Sequence, residues 1–338
     1  MLQVVASVTG VLLCYNCEEF VAAALRSVFS QDFAEPMEII VSDDGSTDDT
    51  FDVVRNELSR YAGANIVKIR QRPTNSGSKS AHLNDVFPLT TGDILISFDA
   101  DDISESSRAR KIVERFRAEP AVHAVYSSYS VIDRQGAFLK AGRVPRPGRH
   151  SNTSHWFARA DAYAAGATLA IRRAVVDQFG PLEPDIHEDI VLPFRASLLG
   201  EVAFIDEPLV KYRLHADSLT ADMGRFASIE SYRARMREGI ARAGRNAGCR
   251  LRDIQRAEAL MPARSAEFKS LERIVADSAA VAALTAGLVS PSVGTRVAAL
   301  LRLAMTGAYR DELLQHAALA LVPDIYLRYK RHALAVGR

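Results

Sequence analysis

The sequence predicts an α/β fold, a mostly parallel sheet covered on both faces, followed by a separate helical region. Three observations predict it. Strand and helix signals alternate up to about residue 120. Two of the strands run directly into acidic loops, Ser42-Asp43-Asp44-Gly45 and Asp99-Ala100-Asp101-Asp102, and loops at the carboxyl ends of parallel strands share one crevice. From about Ser218 the composition turns to Ala, Arg, Leu and Glu at helical spacing.

Taken in order, Val11 to Tyr15 is the first strand. Asn16 is placed to cap the next helix with Glu19 at its third position, and Phe20, Ala24 and Val28 recur on one face. Met37 to Val41 is the second strand; its loop contains Ser46-x-x-Asp49, a helix start, and Phe51, Val54 and Leu58 share the face that follows. Ile66 to Ile69 is the third strand, about Ser80 to Phe87 a short helix, and Ile94 to Phe98 the fourth strand. The helix after the second acidic loop carries Ala109, Ile112, Val113 and Phe116. Beyond it the alternation breaks: Val122 to Tyr126 and Val131-Ile132 read as separate strand segments before a turn at Asp133-Arg134-Gln135-Gly136, so a mixed sheet is expected. Lys140 to Arg159, rich in Gly, Pro, Arg and Ser, reads as a long loop. Val210 to Leu214 is strand-like, and Pro262, Pro291 and Pro323 break the C-terminal helices.

At 338 residues the chain fits one large or two moderate domains. A net charge of +1 gives no case for nucleic acid, but from residue 216 onward 19 Lys and Arg stand against 12 Asp and Glu. Cys14, Cys17 and Cys249 cannot form a disulfide framework and fit a reducing compartment. Cys14-Tyr15-Asn16-Cys17 has redox or half-zinc spacing but no second pair, so structural cysteines are expected. The apolar opening from Val4 to Tyr15 lacks a preceding Lys or Arg and reads as a strand rather than a secretory signal. Nowhere do about 18 apolar residues run together, so no spanning helix is expected.

Ionised carboxylates just beyond an apolar strand repel one another and lose hydration, so a divalent cation or another positive charge is the usual reason they persist there. A cation held by Asp-x-Asp can in turn hold a diphosphate. A solvated acidic turn explains Asp99-Ala100-Asp101 equally well when that segment is taken alone.

Taken together, several segments resemble the family 2 inverting glycosyltransferases of GT-A (Rossmann-like) fold over roughly residues 8 to 220. They are Leu12-Cys14-Tyr15-Asn16 with Glu19 and Phe20, Glu38 to Asp48, Asn75-Ser76-Gly77, Thr91-Gly92-Asp93-Ile94, Phe98 to Asp102, His187-Glu188-Asp189, and Tyr212-Arg213-Leu214-His215 with Ser218. The resemblance implies a catalytic domain over 1–217, with a nucleotide-sugar half to about 102 and an acceptor half from about 103, then a helical region over 218–338. It implies that Tyr15 and Asn16 line the nucleobase edge, that Asp43 or Asp44 accepts from the base, and that Asp99 contacts donor ribose or sugar. Asp101 would hold Mg or Mn, and Asp189 would be the general base. An acceptor-only carboxylate selects an N–H such as that of uracil or thymine and also suits guanine; of the donors, a UDP-sugar is favoured. Asp189 also reads as a helix N-cap, a site that favours its anion. His215 reads as a metal or diphosphate contact or as a structural residue, and Arg213 as a phosphate contact or a partner of the acidic loops. The acceptor side is assigned Arg143, Arg146, Trp156 and Glu188, with Arg149 and Arg159 in the same basic segment.

Two departures from the family pattern stand out. Ser78-Lys79-Ser80-Ala81-His82-Leu83-Asn84 replaces the common Ala-Arg-Asn continuation, so Lys79 or His82 takes over the donor-phosphate contact. Leu13-Cys14 stands where Pro-Thr is common, a change of packing rather than chemistry.

A haloacid-dehalogenase-type phosphatase also uses Asp-x-Asp, but on an early strand with Thr or Val soon after, whereas here Ile103 follows a fourth strand. A nucleotidyltransferase would need a Gly-rich basic loop where Asn16-Cys17-Glu18-Glu19 stands. A non-catalytic nucleotide-sugar-binding scaffold remains the third option. At the C-terminus, Leu300 to Leu303, Leu313 to Leu321 and Ile325 to Val336 are amphipathic, flanked by Arg328, Lys330, Arg331 and Arg338. Such an end suits the cytoplasmic face of an anionic membrane, in keeping with a lipid-linked saccharide acceptor and surface polysaccharide synthesis, or it packs in a homo-oligomer.

Overall fold

A computed structural model of the chain describes residues 7–146, 153–159, 162–215 and 229–306, apart from 289 and 291. Strand β1 (Val8–Cys14), helix α1 (Val21–Phe29), β2 (Glu38–Asp43), α2 (Thr50–Ser59), β3 (Ile66–Gln71), α3 (Lys79–Val86) and β4 (Ile94–Asp99) form the alternating half. The short β5 (Ile103–Ser104), α4 (Arg108–Ala118), β6 (Val122–Ile132), β7 (Phe138–Ala141), α5 (Thr153–Phe157), β8 (Ala170–Arg172), α6 (Ala174–Phe179), α7 (Glu188–Leu199) and β9 (Glu201–Arg213) follow. Then come α8 (Ile229–Leu260), α9 (Ser265–Leu288) and α10 (Val293–Thr306).

One sheet runs in the order β3-β2-β1-β4-β8-β6-β9-β5, with β7 paired to β6. The first four strands are parallel, β8 is antiparallel to both β4 and β6, and β6 and β9 are parallel. This is the expected mixed sheet. Alternation along β1 explains why both faces are covered. Val11 and Leu13 face a core with Leu83, Val86, Leu192 and Phe194 from α3 and α7, whereas Leu12 and Cys14 face Leu25 and Val28 of α1 and Ile112 and Val113 of α4. All three cysteines are free and buried.

Several local expectations change. Helix α1 starts a turn later than Asn16 predicts: Phe20 is its N-cap, and the Phe20 and Val21 amides donate to Cys17 O at 2.9 Å. Asn16 instead adopts φ 46° and spends its side-chain oxygen on the Thr47 amide at 2.9 Å, so loop stitching wins over capping. In α2 the Thr50 amide donates to Asp48 at 3.0 Å, and Ser46 turns back to Asp43. The two segments expected at Val122 to Tyr126 and Val131-Ile132 are one strand, held continuous by its long parallel pairing with β9. The segment read as a loop from Lys140 to Arg159 contains the end of β7 and all of α5.

Pro262 falls at the break between α8 and α9, and Pro291 lies outside the described residues. Apolar Ala247, Ile254, Phe268 and Leu271 of α8 and α9 join the same core as α7. Among the described residues no helix is long and apolar enough to cross a membrane. Pro323, Leu313 to Leu321, Ile325 to Val336 and the basic residues that flank them lie outside the described residues, as does Arg149.

Candidate active site

Parallel register brings the acidic loops together. Cys14 at the end of β1 is level with Asp43 of β2, and Leu13 is level with Asp99 of β4, so the two carboxylates flank one strand end. Tyr15, the next residue, is 48% exposed, enough for its ring to meet a ligand in the crevice.

The first wall is a hydrogen-bond relay. The Asn16 amide donates to Ser46 Oγ at 2.9 Å, Ser46 Oγ donates to Asp43 Oδ1, and the Ser46 amide donates to Asp43 Oδ2 at 3.0 Å. Gly45 makes the turn possible with φ 74°, and a Cβ there would lie 2.7 Å from the Thr74 carbonyl carbon. Asp44 is more heavily engaged. It accepts from the Ser76 amide at 3.0 Å, Ser76 Oγ at 2.7 Å and Asn75 Nδ2 at 3.1 Å, and pairs with Arg72 at 3.1 Å. Asp44 thereby orders the loop before α3. His82 lies beneath this wall with Nε2 2.7 Å from Ser42 Oγ; burial pulls its pKa down to about 4, so it is neutral and turned away from the crevice. Of the two residues expected to replace the family's Arg, Lys79 pairs with Asp99 of the second acidic loop, whereas His82 is spent on Ser42 at the head of the first.

The second wall is built on Lys79. Its Nζ donates to Asp99 Oδ1 at 2.8 Å and Oδ2 at 3.1 Å, and it pairs with Glu188 Oε1 at 3.1 Å. Burial disfavours the ammonium, but Asp99 and Glu188 outweigh it and hold the Lys79 pKa well above its ordinary value. Asp101 is partly open, with Oδ2 3.1 Å from His215 Nε2, and the His215 ring packs on Phe20 at 4.7 Å. Asp102 turns inward: Oδ1 accepts the Arg213 amide at 2.8 Å, and burial followed by its neighbours Asp101 and Asp99 raises its pKa well above the ordinary range. Arg213 grips the loop by carbonyls, donating to Asp101 O at 2.9 Å and to Arg134 O at 2.7 Å.

A carboxylate oxygen beside an imidazole nitrogen at a partly open edge is a donor pair that would suit a divalent cation such as Mn. Among the described residues no group of three or more His, Cys, Asp or Glu forms a metal cage made of protein ligands alone.

Opposite stands the start of α7. His187 is its N-cap, not Asp189, and Glu188 and Asp189 form the first turn. Pro193 has no N–H to give the Asp189 carbonyl, which instead accepts the Ala164 amide at 2.9 Å. That bond draws the chain through Gly166 against the site, where an added Cβ would lie 2.8 Å from Glu188 Oε1. The Asp189 carboxyl is pushed up to about 8, by burial first and then by Glu188, with Lys79 pulling the other way. A helix start predicts a favoured anion, and its own amide does favour it, but burial and the adjacent carboxylate prevail.

The residues assigned to the acceptor side are more dispersed. Glu188 faces Lys79. Arg146 is exposed, stacks on Phe204 at 5.5 Å and pairs with Asp206 at 2.6 Å, while Arg143 is exposed. Trp156 packs on the core with Arg159 over its ring at 5.0 Å. Sequence reasoning missed Gly166 and Phe20 as parts of the site. Pro193, four residues after Asp189, was a legible signal that the Asp189 carbonyl needs an outside partner.

A mainly parallel sheet with acidic loops at its carboxyl edge, faced by a helix that carries a carboxylate, is an α/β fold with its crevice at the carboxyl ends of the strands. The glycosyl transferase family 2 model matches residues 10–180, and the chain belongs to that family. Relatives include an uncharacterized glycosyltransferase of Nostoc, 28% identical over 60% of this chain and 62% of that protein. The putative glycosyltransferase EpsE of Bacillus subtilis is 30% identical over 42% of this chain and 50% of its own length. The matches thus span less than two thirds of these relatives. Among solved structures, S. aureus TarS 1-349 in complex with UDP-GlcNAc superposes with TM-score 0.52 at 17% identity, covering 98% of this chain and 92% of that one. Mannosyltransferase PcManGT from Pyrobaculum calidifontis, in complex with GDP-Man and Mn2+, gives 0.51 at 18% identity over 96% and 87%. These likenesses establish the GT-A fold.

Proposed function

We propose that the chain transfers a sugar from a nucleoside-diphosphate donor, with a UDP-sugar favoured, to a saccharide hydroxyl with inversion at the anomeric carbon. The observation that carries this reading is that Asp189 and Asp99 belong to one charge network, joined through Glu188 and Lys79, so that a base and a donor-side carboxylate share one cleft. The nucleotide sugars held by TarS and by the mannosyltransferase support the donor class.

In this mechanism Tyr15 and Asn16 border the nucleobase. Asp43 or Asp44 accepts its N–H. Lys79 orients Asp99 toward ribose or sugar hydroxyls and offers positive charge to the diphosphate. A divalent cation held by Asp101 and His215 supplies Lewis-acid stabilisation of the leaving diphosphate when bound. Asp189 takes the proton of the acceptor hydroxyl as that oxygen bonds to the anomeric carbon and the bond to the diphosphate oxygen breaks. Arg143, Arg146, Trp156 and Glu188 border the acceptor. The reading extends to a lipid-linked acceptor in surface polysaccharide synthesis, met at the cytoplasmic membrane face by the basic C-terminal end.

The test is a panel of nucleotide sugars incubated with Mn, with Mg and with chelator, and product configuration read by NMR. Metal-dependent turnover with inversion is expected. Absence of turnover across the panel, or a retained configuration, refutes the reading.

A further inference from the structure

The turn that presents Glu188 and Asp189 is held from behind by α8, a helix that lies beyond the segment matched by the family model. Asn246, 2% exposed, grips His187 at two points: its Oδ1 accepts the His187 amide at 3.0 Å, and its Nδ2 lies 3.2 Å from His187 Nδ1. One turn earlier on α8, Arg242 donates to Asp185 Oδ1 at 3.0 Å. Arg245 donates to the Asp185 carbonyl at 3.2 Å and pairs with its Oδ2. Asp185 sits at φ 55°, a left-handed conformation that Asp tolerates better than most residues, and the two arginines hold it there. Deeper along the same two helices, Arg195 of α7 and Asp253 of α8, at 2% and 1% side-chain exposure, form a buried pair at 2.8 Å that fixes the spacing of the helices.

His187 is the N-cap of α7, yet its ring does not cap the helix. It points to Asn246 instead. Burial, followed by Arg242, lowers its pKa, so the ring is neutral and its Nδ1 accepts from the Asn246 amide. The charged groups around it are Asp185 and Glu188 on its own turn and Arg242 and Arg245 on α8. On the far side the Ala164 amide holds the Asp189 carbonyl. The base is thus clamped between the Gly166 segment and α8.

We infer that Asn246 is a positioning residue for the proposed reaction, orienting Asp189 through the backbone and ring of His187, and that α8 is thereby part of the catalytic apparatus. This rests on the function proposed above, so the experiment carries a readout that does not depend on it.

In the full chain, Asn246→Ala is expected to lower kcat about 10-fold or more with the KM for the nucleotide sugar changed less than about 2-fold, measured with whichever of UDP-GlcNAc or GDP-mannose the wild type turns over. Asn246→Asp keeps the acceptor for the His187 amide, and the neutral ring can still donate to it as the Nδ1–H tautomer. The variant is therefore expected to keep more of the wild-type kcat than Asn246→Ala does. Arg252→Met, on the same helix but paired with Glu183, serves as the control and should leave kcat unchanged. Amide hydrogen exchange over residues 185–192 should accelerate at least about 10-fold in Asn246→Ala. A kcat within 2-fold of wild type, a loss that falls entirely on KM, or unchanged exchange overturns the inference. If Asn246→Ala does not fold, the same kcat, KM and exchange readouts on Asn246→Ser, whose side chain is too short to keep both His187 bonds, decide. If the wild type turns over no nucleotide sugar, the functional reading fails and the exchange result alone judges the clamp.

Discussion

The perturbed carboxyl of Asp189 makes the pH profile the most direct probe of the site. With a pKa of about 8, roughly 9% of Asp189 is ionised at pH 7 and roughly 90% at pH 9, so kcat/KM should rise about 10-fold across that interval. A carboxylate of ordinary pKa would be fully ionised throughout and give a flat profile. Glu188→Gln tests the cause. It removes the charge that adds most to the effect of burial, and it leaves Lys79 with only Asp99 as a carboxylate partner, so both changes move the Asp189 pKa down. The ratio of kcat/KM at pH 9 to pH 7 should therefore shrink in the variant. Because the ratio is internal to each protein, it is insensitive to any uniform loss of activity. The assay is initial-rate release of nucleoside diphosphate in buffers of constant ionic strength. A flat wild-type profile from pH 6 to 9, or an unchanged ratio in Glu188→Gln, would refute the reasoning.

Asp101→Ala should abolish the dependence of donor binding on Mn or Mg, checked by calorimetry with and without chelator; full metal dependence in the variant counts against the Asp101 and His215 site. Asp189→Asn should lower turnover by at least about 10²-fold with nearly intact donor affinity, since it keeps shape and removes the base. The same variant should be more stable than wild type above about pH 8, because a carboxyl whose folded pKa is raised costs stability as pH climbs from its unfolded value of about 4 toward 8. Thermal melts at pH 5 and pH 8.5 should show a gain that is much larger at the higher pH. The full chain should float with anionic vesicles at low salt and release at high salt, and replacing Arg328, Lys330 and Arg331 by Ala should weaken the binding; a protein that stays in solution at low salt removes the membrane proposal.

The sequence made the parallel half of the fold legible because its signals are local. Val11 to Tyr15, Met37 to Val41 and Ile94 to Phe98 are apolar runs, the last two ending in acidic loops, and their pairing follows from the βαβ rule. The strand that runs unbroken from Val122 to Ile132 was not legible, since its continuity comes from pairing with β9, far along the chain. Asn16 was misjudged as a cap for a related reason: its partner is Thr47, and only the fold brings the two loops together. That Asp43 and Asp99 end neighbouring strands could be read from spacing. The charge states of the site carboxylates could not, because the rise of Asp189 to about 8 depends on burial and on Glu188 and Lys79 meeting across the cleft.

Lys79 explains how these parts act as one unit. Its ammonium is the cation that lets Asp99 and Glu188 stand close together in a partly buried cleft, where two like charges alone would cost each other their ionisation. It also opposes the rise of the Asp189 pKa. An anionic diphosphate entering beside Asp99 would compete for the same ammonium, and the charge that Lys79 turns toward the donor is withdrawn from the carboxylates around the base. Asp189 would then hold its proton affinity, and so its strength as a base, most firmly when donor is present. The coupling follows from geometry on this chain: one lysine on α3, one carboxylate at the end of β4 and one at the start of α7 meet within 3.1 Å.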